Sequence, residues 1–343
     1  MPRGRDECDR PDAPGAESRP LRQGVTRTEA RGTVMSRWSG NAVGRRRARR
    51  MAALAAAALA LAFVAFWLAT MPRMVAAGAL EARAPDLANG RAMFLVGGCA
   101  SCHATPKQND PTRLGGGLAL ESPFGRFYVP NISPDPVDGI GGWTEAQFVT
   151  AMVEGVSPAG AHLYPALPYT SYQRMRLADL RDLFAYLKTL PPVAGRAPAH
   201  ELRFPFNVRR LIGLWKLLFL DGRPFVPDPA RSREWNRGAY LVNGPGHCAE
   251  CHSPRNFLGA IVESRRFAGG PSPVGQGGVP SIRQDKLAAW TVDDFAALLA
   301  TGATPDADKV GGAMAEVVRN TAQLSPADRR AMAVYLKSLP ALR

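Results

Sequence analysis

Cysteine and histidine are both scarce in this chain, with five of each among 343 residues. Five cysteines cannot form a disulfide-stapled scaffold, and with 46% apolar residues a packed interior needs no such crosslinks. That apolar share also rules out disorder over most of the length. Aromatic residues reach only 8% and are not interleaved with a basic stripe, which excludes a nucleic-acid surface despite a net charge of +14. The charge is uneven. Residues 1–50 hold 13 arginines against six acids and so carry half of the excess, leaving the rest of the chain mildly basic with a solvated Arg surface.

Long hydrophobic runs are nearly absent as well. The exception is MAALAAAALALAFVAFWLAT at 51–70, which is uncharged and spans about 30 Å as a helix, the thickness of a bilayer core. GRRRARR (44–50) lies directly before it. By the positive-inside rule it holds the N-terminus in the cytoplasm and sends everything after residue 72 outward. A transmembrane anchor over 51–72 is the expectation. A cleaved signal peptide is the competing one, with small residues at Val75, Ala77 and Ala79 for a cleavage site. Both export the remainder. Residues 1–50 read as a disordered basic cytoplasmic segment in which Met35 could serve as an alternative start, and Cys8, on the far side of the membrane from the other cysteines, has no assigned role.

Those other cysteines are arranged alike. GGCASCH (97–103) and HCAECH (247–252) each place two cysteines three positions apart with a histidine immediately after the second. Four thiols would suffice for structural zinc, but zinc does not require histidine at the adjoining position. A redox dithiol calls for a βαβ setting, which is missing. Covalent haem c accounts for every residue. Two thiols one helical turn apart add to the two vinyl groups of a haem, and the adjoining imidazole meets the iron.

The pattern extends beyond the motifs. Cys99, VPNI (129–132), WTEAQF (143–148) and LFAYLKTLP (183–191) recur as Cys248, VPSI (279–282), WTVDDF (290–295) and AMAVYLKSLP (331–340). The first cysteine and the final tyrosine, Tyr186 or Tyr335, are 87 positions apart in both halves. Two copies of one domain are predicted, over 84–192 and 233–343, joined by a linker at 193–232. Each copy is expected to be mostly α. ANGRAMFLV and NRGAYLV lead into the motifs as helices. Thr144 and Thr291 are N-caps, the first with Gln147 in a capping box. Asp179 to Leu190 and Pro326 to Leu339 form amphipathic closing helices stopped by Pro191 and Pro340, and Phe184, Tyr186 and Tyr335 are core residues. Between them run Gly/Pro-rich loops at 104–142 and 253–288, long enough to need a buried cofactor as organiser. In the linker, NVRRLIGLWKLLFL (207–220) is about 21 Å long if helical, too short to cross a bilayer. It packs between the domains, or lies against the membrane or a partner.

With GGCASCH, SPFGRFYVPNISPD, GIGGWT, HLYPALPY, and GGAMAEVV followed by LSPAD, residues 84–343 resemble the class I cytochrome c family. Within it they resemble the membrane-bound cytochrome subunits of periplasmic alcohol, gluconate and related dehydrogenases. Those often carry three haem motifs, so with two this chain resembles a dihaem relative. The resemblance implies two tandem class I domains behind a transmembrane helix, with loops wrapping two covalently bound haem c groups. Haem 1 is tethered by Cys99 and Cys102 and ligated by His103. Haem 2 is tethered by Cys248 and Cys251, with His252 and Met314 as its axial pair; Met314 lies 24 positions after Trp290. The same count from Trp143 reaches Leu167, which has no donor atom. Met175 and His162 compete for the sixth position of haem 1. Met175 aligns with Leu324 and could instead staple the closing helix, and His162 could be a surface or propionate contact. Met152 or a five-coordinate iron are further alternatives. Pro130 and Pro280 are expected to accept the Nδ1 hydrogen of the ligating histidines, or else to be ordinary loop prolines. The function implied is single-electron transfer in the periplasm, on the outer side of the cytoplasmic membrane. A periplasmic dehydrogenase is the donor, quinone or a terminal oxidase the acceptor, and nucleic acid plays no part. The alternative is a haem enzyme of peroxidase or thiosulfate-oxidising type acting at haem 1.

Overall fold

The computed structural model describes residues 39–273 and 277–342, and within these the chain is mostly helical. It divides into two compact units, Met1–Ala62 and Phe63–Arg343. Cys8, Met35 and most of the segment expected to be disordered lie outside the described residues. The rest of that segment differs from expectation. Helix α1 (Ser39–Ala69) is continuous through GRRRARR into the apolar run, because neither a proline nor a glycine pair interrupts a stretch dominated by Arg and Ala, both strong helix formers. Val43–Ala69 is long and apolar enough to cross a membrane, and its large side chains point outward.

Two helix pairs organise residues 63–343. Helix α2 (Leu87–Val96) begins at Asp86, whose carboxylate accepts from Asn89 N at 2.9 Å, and leads to the short helix α3 (Cys99–His103). The antiparallel strands β1 (Ala119–Ser122) and β2 (Gly125–Tyr128) pair Ala119 with Tyr128 and Ser122 with Gly125. Helix α4 (Glu145–Glu154) starts at the capping box of Thr144 and Gln147 and ends at left-handed Gly155. After it come α5 (Tyr169–Tyr172) and α6 (Leu177–Leu187), and α6 packs across α2. At the crossing a Cβ on Gly90 would collide with the Asp182 backbone, so only glycine lets the helices approach this closely.

Strand β3 (Glu201–Leu202) and helix α7 (Leu211–Phe219) follow. The predicted linker is thus partly absorbed into the first half: β3 adds to the β1–β2 hairpin, with Gly125 opposite Leu202. The second half repeats the order. Helix α8 (Arg233–Asn243), capped by Ser232, leads to α9 (Ala249–His252). Strands β4 (Gly270–Pro271) and β5 (Gly278–Val279) pair, α10 (Gln284–Leu287) follows, and α11 (Val292–Thr301) starts at Thr291. Asp294 completes a second capping box there, taking the role Gln147 has in the first. Helices α12 (Gly312–Thr321) and α13 (Pro326–Lys337) close the chain, α13 with Ser325 as N-cap and Pro326 at its first position. α13 crosses α8 at Gly238, whose missing Cβ makes room for the Ala331 carbonyl.

The halves do not stand apart as separate domains. One hydrophobic core runs through both, and Phe94, Leu183, Tyr172, Tyr240, Leu241 and Met332 belong to it. The two long loops also hold strand pairs the sequence pattern did not reveal, since strands of two to four residues in Gly-rich chain show no usable alternation.

Candidate metal centres

Both CxxCH motifs form a single short turn of helix. The residue before each first cysteine is left-handed, Gly98 at φ 56° and His247 at φ 38°. This turns the chain sharply from α2 into α3 and from α8 into α9. In the second motif a non-glycine residue tolerates the conformation because its ring is held on both sides. His247 Nε2 lies 3.1 Å from the Gly97 carbonyl, and its ring packs edge-on to Tyr172 at 5.6 Å.

All four thiols are free. Burial raises Cys99 and Cys248 to about 12, with the neighbouring thiol of each motif adding to the effect. Burial raises Cys102 and Cys251 too. Burial thus favours the protonated form of all four thiols in the unliganded protein. Among the described residues, no three of the His, Cys, Asp and Glu side chains converge as a metal cluster would require. Four-thiolate zinc does not fit this geometry.

The histidines decide the chemistry. His103 Nδ1–H donates to the Pro130 carbonyl at 2.8 Å, and His252 Nδ1–H donates to the Pro280 carbonyl at 2.8 Å. A carbonyl can only accept, so each ring is fixed as the Nδ1–H tautomer with the lone pair on Nε2. Burial lowers His103 to about 4 and lowers His252 as well, with the proline carbonyl opposing in each case, so both imidazoles are neutral. A neutral ring oriented through its other nitrogen is the preparation an axial metal ligand needs. Two thiols and an oriented imidazole on one helical turn fit a covalently tethered haem iron.

A family model, Cytochrome c, matches residues 87–191. A dihaem cytochrome c-type protein of Cereibacter sphaeroides is 50% identical over 259 residues, covering 75% of this chain and 87% of that one.

The chain belongs to the cytochrome c family.

Further members share most of it. The fructose dehydrogenase cytochrome subunit of Gluconobacter japonicus is 39% identical over 267 residues, 76% of this chain and 54% of that one. The cytochrome c subunit of the quinone alcohol dehydrogenase of Gluconacetobacter polyoxogenes is 37% identical over 282 residues, 77% of this chain and 59% of that one. The chain spans little more than half the length of these two subunits. As a cytochrome c it is an electron-transfer haem protein.

The remaining predicted site residues fall in different settings. Met314 lies half-buried in the first turn of α12 against the main core. Met175 is buried just before Arg176, the N-cap of α6, and Leu324 stands at the same point before Ser325, the N-cap of α13. This is the position of a hydrophobic staple. Met152 is core in α4, and Leu167 packs beside Tyr169 and Trp215. His162 is buried with both nitrogens engaged: Nε2–H donates to the Thr70 carbonyl at 2.9 Å, and Nδ1 accepts from Lys216 Nζ at 3.1 Å. Its lone pair is taken, so in this fold it is a clamp on the end of α1.

The residues that tie each motif to the opposite half leave little trace in the sequence. Ser101 accepts from Asn320 Nδ2 at 2.9 Å. Glu250, between the cysteines of the second motif, accepts from Thr170 at 2.9 Å and Ser171 at 2.7 Å and pairs with Arg255. Although burial opposes it, the pairing with Arg255 and these hydroxyls keeps its carboxyl below the usual range. Only a charged residue at the second variable position of a CxxCH hinted at this.

Proposed function

We propose that the protein is a membrane-anchored dihaem cytochrome c that carries single electrons on the periplasmic side of the cytoplasmic membrane, between a dehydrogenase and a quinone or terminal oxidase. Cys99 and Cys102 would hold one haem and Cys248 and Cys251 the other, with His103, His252 and Met314 as iron ligands, on a repeat of two class I units. Each haem, when bound, supplies a ferric–ferrous couple. The observation that carries the reading is the Nδ1–carbonyl bond at 2.8 Å in both halves, which leaves two histidines oriented as ligands. The contact of His247 with the Gly97 carbonyl brings the two attachment segments together, and Asn320 of α12 holds Ser101 of the first, which supports exchange between two centres. The relatives named as dehydrogenase cytochrome subunits support such a donor.

Membrane anchorage is supported by α1 and by the contacts of residues 70–81, directly after it. Thr70 is buried, Val75 N bonds Thr150 Oγ1 at 3.0 Å, and the Glu81 carbonyl accepts from Arg181. Cleavage near Ala79 would discard the contacts of Thr70 and Val75, which favours an uncleaved helix over a signal peptide.

The test is mass spectrometry and pyridine haemochrome analysis of full-length protein matured with a cytochrome assembly system, followed by stopped-flow reduction with a purified periplasmic alcohol- or sugar-oxidising dehydrogenase. Two covalent haems and reduction without substrate turnover by the cytochrome alone are expected. A second reading, a haem enzyme at the first centre, is favoured by Leu167 standing where Met314 stands and by the engagement of His162. A high-spin EPR signal that shifts with cyanide or peroxide is its signature, and two low-spin signals exclude it.

A further inference from the structure

Helix α7 is built inside out. Its sequence LIGLWKLLF carries one charge, Lys216, and that residue faces inward. Its ammonium donates to the carbonyls of Glu154 and Gly155 at 2.6 Å each and to His162 Nδ1 at 3.1 Å. Trp215 beside it is buried and donates to the Leu258 carbonyl at 2.9 Å. On the other side Leu214, Leu217 and Leu218 are 39%, 52% and 69% exposed. Their i, i+3, i+4 spacing makes them one stripe. A helix destined for water would be turned the other way, leucines in and lysine out.

The position of this face says what covers it. Arg210, the N-cap of α7, donates through Nε to Thr70 Oγ1 at 2.9 Å and through Nη2 to the Trp67 carbonyl, and its guanidinium sits 4.1 Å from the centre of the Trp67 ring. A Cβ on Gly213 would come within 2.6 Å of Thr70 Cβ, so the first turn of α7 lies directly against the end of α1. That end is where the apolar run stops, and a tryptophan under an arginine suits the headgroup level of a bilayer. Phe204, seven positions before α7, is also 81% exposed.

We propose that α7 is an interfacial helix whose Leu214, Leu217 and Leu218 face beds into the acyl-chain boundary of the leaflet from which α1 emerges, seating the haem-binding body on the lipid surface. This rests on α1 being a membrane span. The occupant is lipid and not a protein partner because the face continues from a lipid-spanning helix through direct hydrogen bonds.

Full-length, haem-loaded protein reconstituted in phosphatidylcholine and phosphatidylglycerol vesicles doped with a diazirine-acyl phospholipid tests it. After irradiation, mass spectrometry should find lipid adducts on α1 and on the 211–219 peptide, several-fold above the exposed loop at Val137. The double variant Leu217→Asp and Leu218→Asp should lose the second set, keep the first, and retain its haem absorbance. Adducts on α1 alone would overturn the proposal, as would adducts on 211–219 no more frequent than at Val137. Shielding of α7 that needs an added dehydrogenase would overturn it in favour of a protein partner. Absence of adducts on α1 itself would show that the anchor reading had failed, and the proposal with it.

Discussion

The halves on either side of residue 193 share a skeleton, and three of their differences are instructive. Both close a helix crossing over a glycine, Gly90 or Gly238, and both fix a histidine on a proline carbonyl. Both also launch a helix from a threonine capping box and end it at a left-handed glycine, Gly155 or Gly302. The differences lie where each half meets something else. Ahead of the first cysteine stands Gly98 in one and His247 in the other, and His247 bonds across to the first half. The bridge after Gly155 pairs Val156 with His162, which grips α1 and α7, whereas the equivalent bridge pairs Ala303 with an exposed Lys309. Leu167 stands where the second half has Met314. Shared positions shape the helix crossing and the histidine of each half; divergent ones hold the half to its surroundings.

The largest effects should come from removing attachment. Cys99→Ala with Cys102→Ala, or Cys248→Ala with Cys251→Ala, should each halve the covalent haem per chain by haemochrome analysis. If either pair removed both haems or neither, the equivalence of the halves would break. Next, Met314→Leu gives the second half the pattern of the first and should turn one low-spin EPR signal high-spin. His162→Gln should leave the spectra unchanged, because the imidazole serves Thr70 and Lys216. A change at the first centre would make His162 a ligand after all.

Stability effects are smaller. Gly90→Ala and Gly238→Ala should each cost about 3 kcal/mol in chemical unfolding, since each new methyl meets backbone that cannot give way. Unequal costs would show that one crossing is looser. The acid response should be one-sided. Burial, with Lys216, holds His162 below its ordinary 6.5, although the Thr70 carbonyl opposes. The unfolded chain therefore takes the proton first. The stabilisation is complete above 6.5 and is lost as pH falls through the depressed folded value. A melting-temperature series in His162→Gln should lack that step. The smallest effect is at His247: changing it to Ala should cost about 1 kcal/mol and to Gly less, because glycine accepts the left-handed backbone that alanine resists.

The helices and caps were legible because they rest on local rules. The Thr144 box, the Pro326 start and the α6 and α13 boundaries depend on neighbours within four positions, and the structure has them within three residues of the predicted limits. The proline–histidine bonds were legible through a repeated motif, VPNI and VPSI, although each spans nearly thirty positions. What escaped was long-range and single-copy. Lys216 turned inward, Arg210 over Trp67, and Glu250 against Thr170 and Ser171 join segments between 50 and 150 positions apart, beyond the reach of any local rule. The short strands escaped for lack of period, and the helix over residues 39–50 escaped because that stretch has no apolar period of its own.

Sequence alone placed two thiols and an imidazole within five residues on one helical turn, whatever the rest of the chain does. It also set the length and polarity that make one segment long and apolar enough to cross a membrane. Tertiary structure decided that His162 is a clamp, that the two halves share one core, and that α7 turns its leucines outward. A side chain's partner across the fold is set by which surfaces pack, and packing is settled by the whole chain at once.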